Sequence, residues 1–448
     1  VDIIPILGSG VNGIRIPVNE KPQKMSIILK WKILNRTVYN FKRNLFVSLL
    51  IIFAPVRSQN FIRNYSFPEE IIKNEHYSSD RVATELSFIG EYNLSLLFFD
   101  QYKSFPSKLN YDSLFIQNFK PVLADKYIIE KAKQYQIVIL NEAHHQPRHR
   151  IFTESLLSDL YDIGFRYFGA EALMEADYSI ENKEYPTTDY GYYIAEPKFG
   201  SLIRKAIKTG YSIFGYDSHG ITNFQNNFAD LELRDKLQAE KILNILKNDP
   251  NAKIIIHCGY GHLVESKREA LIKTMGVWIK EMSGINPLTI DQTRMTESSS
   301  SIYEYSYFHL AEPVAYPAVF IDSSGIPFNG PPGENWVDIR MYHPRTKFIR
   351  GRPDWLLSND YTFVDLTDSI LSDCPCLVFA YYNNEDINNA VPADIIYFSN
   401  SVNNKSLVLN KSGIYTVIVR TLENKLGLSS NGIRKYKLEG SDFFEYRN

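Results

Sequence analysis

The chain has 448 residues, with 49 basic against 51 acidic side chains and a formal net charge of −2 at pH 7. At 44% hydrophobic and 22% charged residues it is an ordinary globular composition, long enough for two or three domains at ~150 residues each. The balance excludes an overall electrostatic pull toward nucleic acid. Three cysteines, Cys258, Cys374 and Cys376, are too few for a disulfide scaffold and lack the paired spacing of a cysteine zinc site.

Residues 1–24 precede the first methionine, Met25, and read as an upstream extension without a structural role. No Asp or Glu occurs between Lys21 and Pro68, and Lys30, Lys32, Arg36, Lys42 and Arg43 lead into the apolar run Leu45 to Ala54. A basic lead followed by roughly ten apolar residues is the pattern of a secretory signal, and the run is short of the ~20 residues that span a bilayer. The expectation is a signal over 25–59, with cleavage near Ser58 or Gln59. That implies a periplasmic or secreted bacterial protein with no transmembrane helix in its mature part. Gly8-Ser9-Gly10-Val11-Asn12-Gly13 has a G-x-G-x-x-G spacing but opens no helix, and it carries no dinucleotide-site reading.

From 60 to 126 the chain reads as a helical lead-in. Beyond Tyr127 short apolar runs alternate with longer amphipathic segments. The runs Gln136 to Leu140, Tyr167 to Leu173, Tyr211 to Tyr216, Lys253 to His257 and Pro287 to Ile290 read as strands. Phe152, Leu156, Leu160 and Ile163 recur at helical spacing, as do Leu233, Leu237, Ile242 and Leu246. This alternation predicts an α/β domain over 127–330, a mostly parallel sheet with helices on both faces. After Pro331 the texture changes to β-type runs, Cys376 to Tyr382, Asp394 to Phe398 and Gly413 to Arg420, separated by Asn- and Ser-rich turns. They predict a small C-terminal β module over 331–448.

Six of the nine histidines lie between His144 and His262, just past predicted strands. The first strand runs into Glu142, His144 and His145, with His149 following; the second carries Glu171; the third ends at Asp217 and His219; the fourth gives His257, Cys258 and His262. Carboxyl ends of parallel strands share one sheet edge, where ligands bind. A carboxylate beside an imidazole fixes its tautomer and suits acid/base work, and the same residue types hold a divalent metal that activates water. His144 and His145 are adjacent and point in different directions, so one of them faces the site. His149 sits in the first turn of the next helix and is equally readable as solvated. Glu171 reads as readily as a partner of Arg166, and Cys258 reads as a buried apolar thiol. Cys374-Pro375-Cys376 is given a structural role. No G-x-S-x-G elbow and no H-E-x-x-H occur.

The stretch IVILNEAHHQPRHRIFTESLLSDL resembles the opening motif of the erythromycin esterase/ChaN-like superfamily, which includes haem-binding uptake proteins and the Tiki/TraB group. Glu142 matches its glutamate, His144 and His145 match the two histidine spacings found in it, and Pro147 and His149 match the continuation. GFRYFGAEAL resembles the strand with the second glutamate, here Glu171; Leu233-Arg234-Asp235 resembles the esterase Arg-Asp; IIIHCGYGHLVE resembles the late Gly-x-x-His, carried by Gly259 and His262. Asn141 stands where the pattern has glycine, and the lipobox cysteine of ChaN-type lipoproteins is missing.

The resemblance implies an exported hydrolase of ester or peptide bonds, acting on a small-molecule or peptide substrate. Its catalytic set would be Glu142, His145, His262, Arg234 and Glu171, with a divalent metal on His144, His257, His262 and Glu142 as one option. The other implication is a haem or iron-compound carrier without catalysis, with iron on a His or Tyr.

Overall fold

A computed structural model describes residues 65–102, 112–173, 184–217, 228–265, 272–334, 336–357, 360–366, 374–399, 406–422, 433–439 and 442–445. The expected upstream extension, signal segment and G-x-G-x-x-G stretch, together with His219, lie outside them.

The chain opens with helices α1 (Pro68–Ile72), α2 (Ser79–Phe88), α3 (Tyr92–Tyr102) and α4 (Ser113–Asn118). Strand β1 (Lys120–Leu123) and helix α5 (Ala124–Ala132) lead into β2 (Ile137–Glu142), α6 (Arg148–Asp162) and β3 (Tyr167–Ala170). Then come α7 (Pro197–Thr209), β4 (Ser212–Gly215), α8 (Phe228–Asn248), β5 (Ile254–Gly259), α9 (Met275–Ser283) and β6 (Leu288–Met295). Helix α10 (Ser306–Ala311), β7 (Ala318–Ile321) and β8 (Ile339–Tyr342) complete the large sheet.

Its eight strands run in the order β1-β7-β8-β6-β2-β5-β3-β4. All pairs from β8 to β4 are parallel, and β7 and β1 add antiparallel at one edge. The fold is α/β. β2 and β5 are buried throughout, which is why they read as unbroken apolar runs rather than alternating ones. Val138, Leu140 and Ile255 pack against α5, α6 and α7 on one face. Ile137, Ile139, Ile254 and Ile256 pack against α8 and α9 on the other. Local chemistry marks the helix ends: Glu196 caps α7 by accepting the Phe199 N–H at 2.8 Å ahead of Pro197, and Gly210 ends it at φ +97°.

The remaining strands are short β9 (Phe348–Ile349) and β10 (Arg352–Pro353), then β11 (Tyr361–Asp365), β12 (Cys376–Tyr382), β13 (Asp394–Phe398), β14 (Ser406–Asn410), β15 (Ile414–Thr421), β16 (Ile433–Glu439) and β17 (Asp442–Glu445). Five of them form an antiparallel sheet, β13-β12-β15-β16-β17, and β11 pairs with β14. One face of the five-stranded sheet packs on α1 and α2 through Phe67, Ile71, Leu86, Phe379 and Ile395. The other packs on β11 and β14 through Val364, Leu407 and Leu409. Cys374 and Cys376 form a disulfide. No helix among the described residues is long and apolar enough to cross a membrane.

Candidate active site

Glu142 ends β2 and its side chain is 2% exposed. Its Oε1 accepts Arg150 Nη2–H at 2.7 Å and His144 Nδ1–H at 2.8 Å; its Oε2 accepts Arg150 Nε–H at 2.6 Å and His257 Nε2–H at 2.8 Å. Burial alone would raise this carboxyl, but Arg150 and the two imidazole donors outweigh it and hold its pKa well below the usual range. An ionised carboxylate only accepts, so His144 carries its proton on Nδ1 and leaves Nε2 with its lone pair. The His144 side chain makes no other hydrogen bond among the described residues, while its backbone carbonyl accepts Arg150 Nη2–H at 2.9 Å. Tyr193 stacks on its ring with centroids 4.0 Å apart.

Arg150 belongs to the first turn of α6 and is fully buried. Its Nη1–H donates to Glu196 Oε2 at 2.9 Å, so one guanidinium serves two carboxylates. His257 lies inside β5, its Nδ1 3.2 Å from Thr153 Oγ1. His149, open to a solvated reading from sequence, is fully buried; its Nδ1 accepts the Ala143 N–H at 3.0 Å and so fixes the turn after β2. Burial keeps it neutral, its pKa well below the usual value.

A second group lies beside the first. Glu171, one residue past β3, accepts Arg234 Nη2–H on Oε1 at 2.5 Å and the Gly259 N–H on Oε2 at 2.6 Å. It pairs with Arg234 of α8 and not with Arg166. Arg234 also forks onto Asp217 through two 2.8 Å bonds. His262 is held between two carboxylates, Nδ1 at 2.6 Å from Asp235 Oδ1 and Nε2 at 3.2 Å from Glu171 Oε1. Burial works against its charged form, yet Asp235 and then Glu171 raise its pKa well above the usual histidine value. The two carboxylates thus favour its protonated form. The two groups meet over Gly259, where His144 and Glu171 both approach the bare Cα.

His145 is placed elsewhere. Its ring stacks on Phe99 of α3 at 3.7 Å, and its Nδ1 lies 3.3 Å from the Tyr260 hydroxyl. The neighbour bonded to Glu142 is therefore His144. Cys258 is buried, and burial pushes its thiol pKa well up, which leaves it inert.

The expected metal set of His144, His257, His262 and Glu142 does not fit a cation. Each Glu142 oxygen already accepts two hydrogen bonds, His262 spends both nitrogens on carboxylates, and Arg150 and Arg234 supply the positive charge. Among the described residues no group of three or more His, Cys, Asp or Glu side chains converges as a metal site. An iron ligand for haem needs an unshared donor with open apolar space in front of it. Tyr260 spends its hydroxyl on His145 and so does not fit that role.

Sequence reasoning did not find Arg150, Glu196, Phe99, Tyr193 or Tyr260. For Arg150 there was a signal. Arg148 and Arg150 stand in the first turn of a helix with no acid there, against the helix dipole, and such cations need a buried carboxylate nearby.

No family model and no curated protein matches the chain. Among solved structures it is similar to the type III effector HopBA1, at 11% identity and a TM-score of 0.32, over 51% of this chain and 97% of that one. It is also similar to ChaN of Campylobacter jejuni, solved with cofacial haem, at 11% identity and 0.27, over 50% and 97%. A third is RRSP, a MARTX toxin effector domain from Vibrio vulnificus CMCP6, at 16% identity and 0.27, over 46% and 45%. At these values the likeness carries no conclusion about this chain, and no residue role is carried over from it.

Proposed function

We propose that the chain is a hydrolase of ester or amide bonds in which His144 is the general base. The observation that carries this reading is the 2.8 Å bond from His144 Nδ1 to the buried Glu142 carboxylate, which leaves Nε2 free to take a proton. His144 Nε2 removes a proton from water, the water oxygen attacks the substrate carbonyl carbon, and the proton then passes to the leaving alkoxide or amine. Negative charge developing on the carbonyl oxygen is met by Arg234, whose Nε and Nη2 are held by Asp217 and Glu171 and whose Nη1 is not engaged by them. Export by the basic, acid-free leader is part of the same proposal.

The test is a panel of activated acyl esters and anilides. His144→Gln is expected to lower kcat/KM by about 10²–10⁴-fold with an unchanged melting temperature. Retained turnover in that variant would refute the assignment. Glu142→Gln is the poorer probe, because it strips a buried arginine of its closest counter-charge and lowers stability along with activity.

A further inference from the structure

We infer that Tyr260 is a substrate-positioning residue, and that what it receives is a flat apolar group, an aromatic acyl group or side chain next to the bond being cut. This rests on the hydrolytic reading above and goes beyond it by naming a substrate class.

The backbone is the first ground. Tyr260 has φ +22°, a conformation unfavourable for any residue with a Cβ and more so for a bulky one. It follows β5 directly and is clamped from both sides: its N–H donates to Glu142 O at 2.9 Å, and its carbonyl accepts Asn141 Nδ2–H at 2.7 Å. Asn141 also donates to Asp291 Oδ1 at 3.0 Å and accepts the Gln292 N–H at 2.7 Å, so the clamp is anchored to β6. A glycine at 141 would supply none of these bonds. Strain held in place by a dedicated network concentrates at sites that bind or react.

The exposed surface is the second ground. The Tyr260 hydroxyl turns inward to His145, and the residue is nonetheless 38% exposed, so the ring rather than the phenol oxygen is what it offers. That ring meets His144 edge to face at 5.3 Å and lies parallel to Phe99, 4° between planes and 6.1 Å between centroids. Tyr193 covers one face of His144, so the approach to Nε2 is bordered by aromatic carbon on the Tyr193 and Tyr260 sides. The charged groups Arg234 and His262 are held on Glu171, which shares the space over Gly259 with His144. A substrate whose carbonyl faces those charges has its acyl side against Tyr260, where a flat ring gains offset or edge-to-face contact.

The experiment compares acetyl and phenylacetyl esters and anilides of one nitroaromatic leaving group, using the full chain and its Tyr260→Phe and Tyr260→Ala variants, with melting temperatures recorded. The wild type is expected to favour phenylacetyl by about tenfold in kcat/KM, expressed mainly in KM. Tyr260→Phe keeps that ratio, and Tyr260→Ala collapses it. If Tyr260→Ala does not fold, Tyr260→Leu, apolar but not flat, is expected to lose most of the ratio. A wild type without acyl preference, an undiminished ratio in the folded alanine or leucine variant, or equal damage from phenylalanine would overturn the inference alone. Turnover of none of the four substrates would overturn the hydrolytic reading beneath it.

Discussion

A Cβ placed on Gly259 would stand 2.7 Å from both Cε1 and Nε2 of His144 and 3.1 Å from Oε2 of Glu171. The Glu171 oxygen is fixed by the Gly259 N–H itself, so the imidazole has to give way. Gly259→Ala is therefore expected to rotate His144 off its bond to Glu142 and to cost on the order of 10²-fold in kcat/KM, while circular dichroism and the melting temperature stay near wild type. Wild-type kinetics in that variant would show that His144 does not act from this position. At this scale the sequence revealed the residues that end strands, because a carboxylate or histidine after an apolar run stands out. It was silent on Phe99 and Tyr193, whose relevance comes from helix and loop packing across more than forty residues of chain. Between His144 and His145 it offered no choice, since only the bond to Glu142 distinguishes them.

At the level of elements, Thr289 of β6 ties together the segment after β5 and the entry to β8. Its hydroxyl donates to Glu265 Oε1 at 2.5 Å and accepts the Asp338 N–H at 2.8 Å, and the Asp338 carboxylate accepts the Thr289 N–H at 3.1 Å. Two carboxyl groups thus share one hydroxyl. Burial first, and then the charge of Asp338, raise Glu265 to about 7, with Lys280 opposing; Asp338 is raised as well. A carboxyl raised in the folded state contributes stability that is fully present below its unfolded value near 4.5 and is lost as pH rises through about 7. Glu265→Gln keeps an acceptor for Thr289 and cannot ionise. It is expected to raise the melting temperature by roughly 2 °C or more at pH 8 and by little at pH 4.5; the same gain at both values would exclude a raised Glu265 carboxyl. The five strands and two helices read between 127 and 295 are present with ends shifted by a few residues. β2 and β5 each run two residues further than their apolar runs, because pairing to neighbours rather than side-chain type sets where they stop. β8, with Arg340 in its four residues, gave no strand signal, since its place is decided by β6 and β7 on either side.

For the molecule as a whole, residues 61–448 cluster as one compact unit, and buried ion pairs hold its parts together. Arg352 forks onto Asp394 at 2.6 and 2.9 Å, both side chains buried, and Arg204 of α7 forks onto Glu385 at 2.7 and 2.5 Å. Removing one partner of such a pair strands the other charge in a dry interior, which costs about 3–5 kcal/mol. Arg352→Ala is expected to lose that much in urea unfolding; a loss below ~1 kcal/mol would mean the pair is solvated. The change of texture after Pro331 was visible in the sequence, but the packing of α1 and α2 on β12 and β13 was not, because it joins the two ends of the described chain. The strand order has one more consequence, in time. β5 is made long after β2 and β3 yet lies between them, so the edge that carries Glu142, Glu171 and His262 cannot assemble on a nascent chain until β5 has emerged and been inserted. The site is thus incomplete through most of the chain's own synthesis, withheld by the late arrival of a single strand.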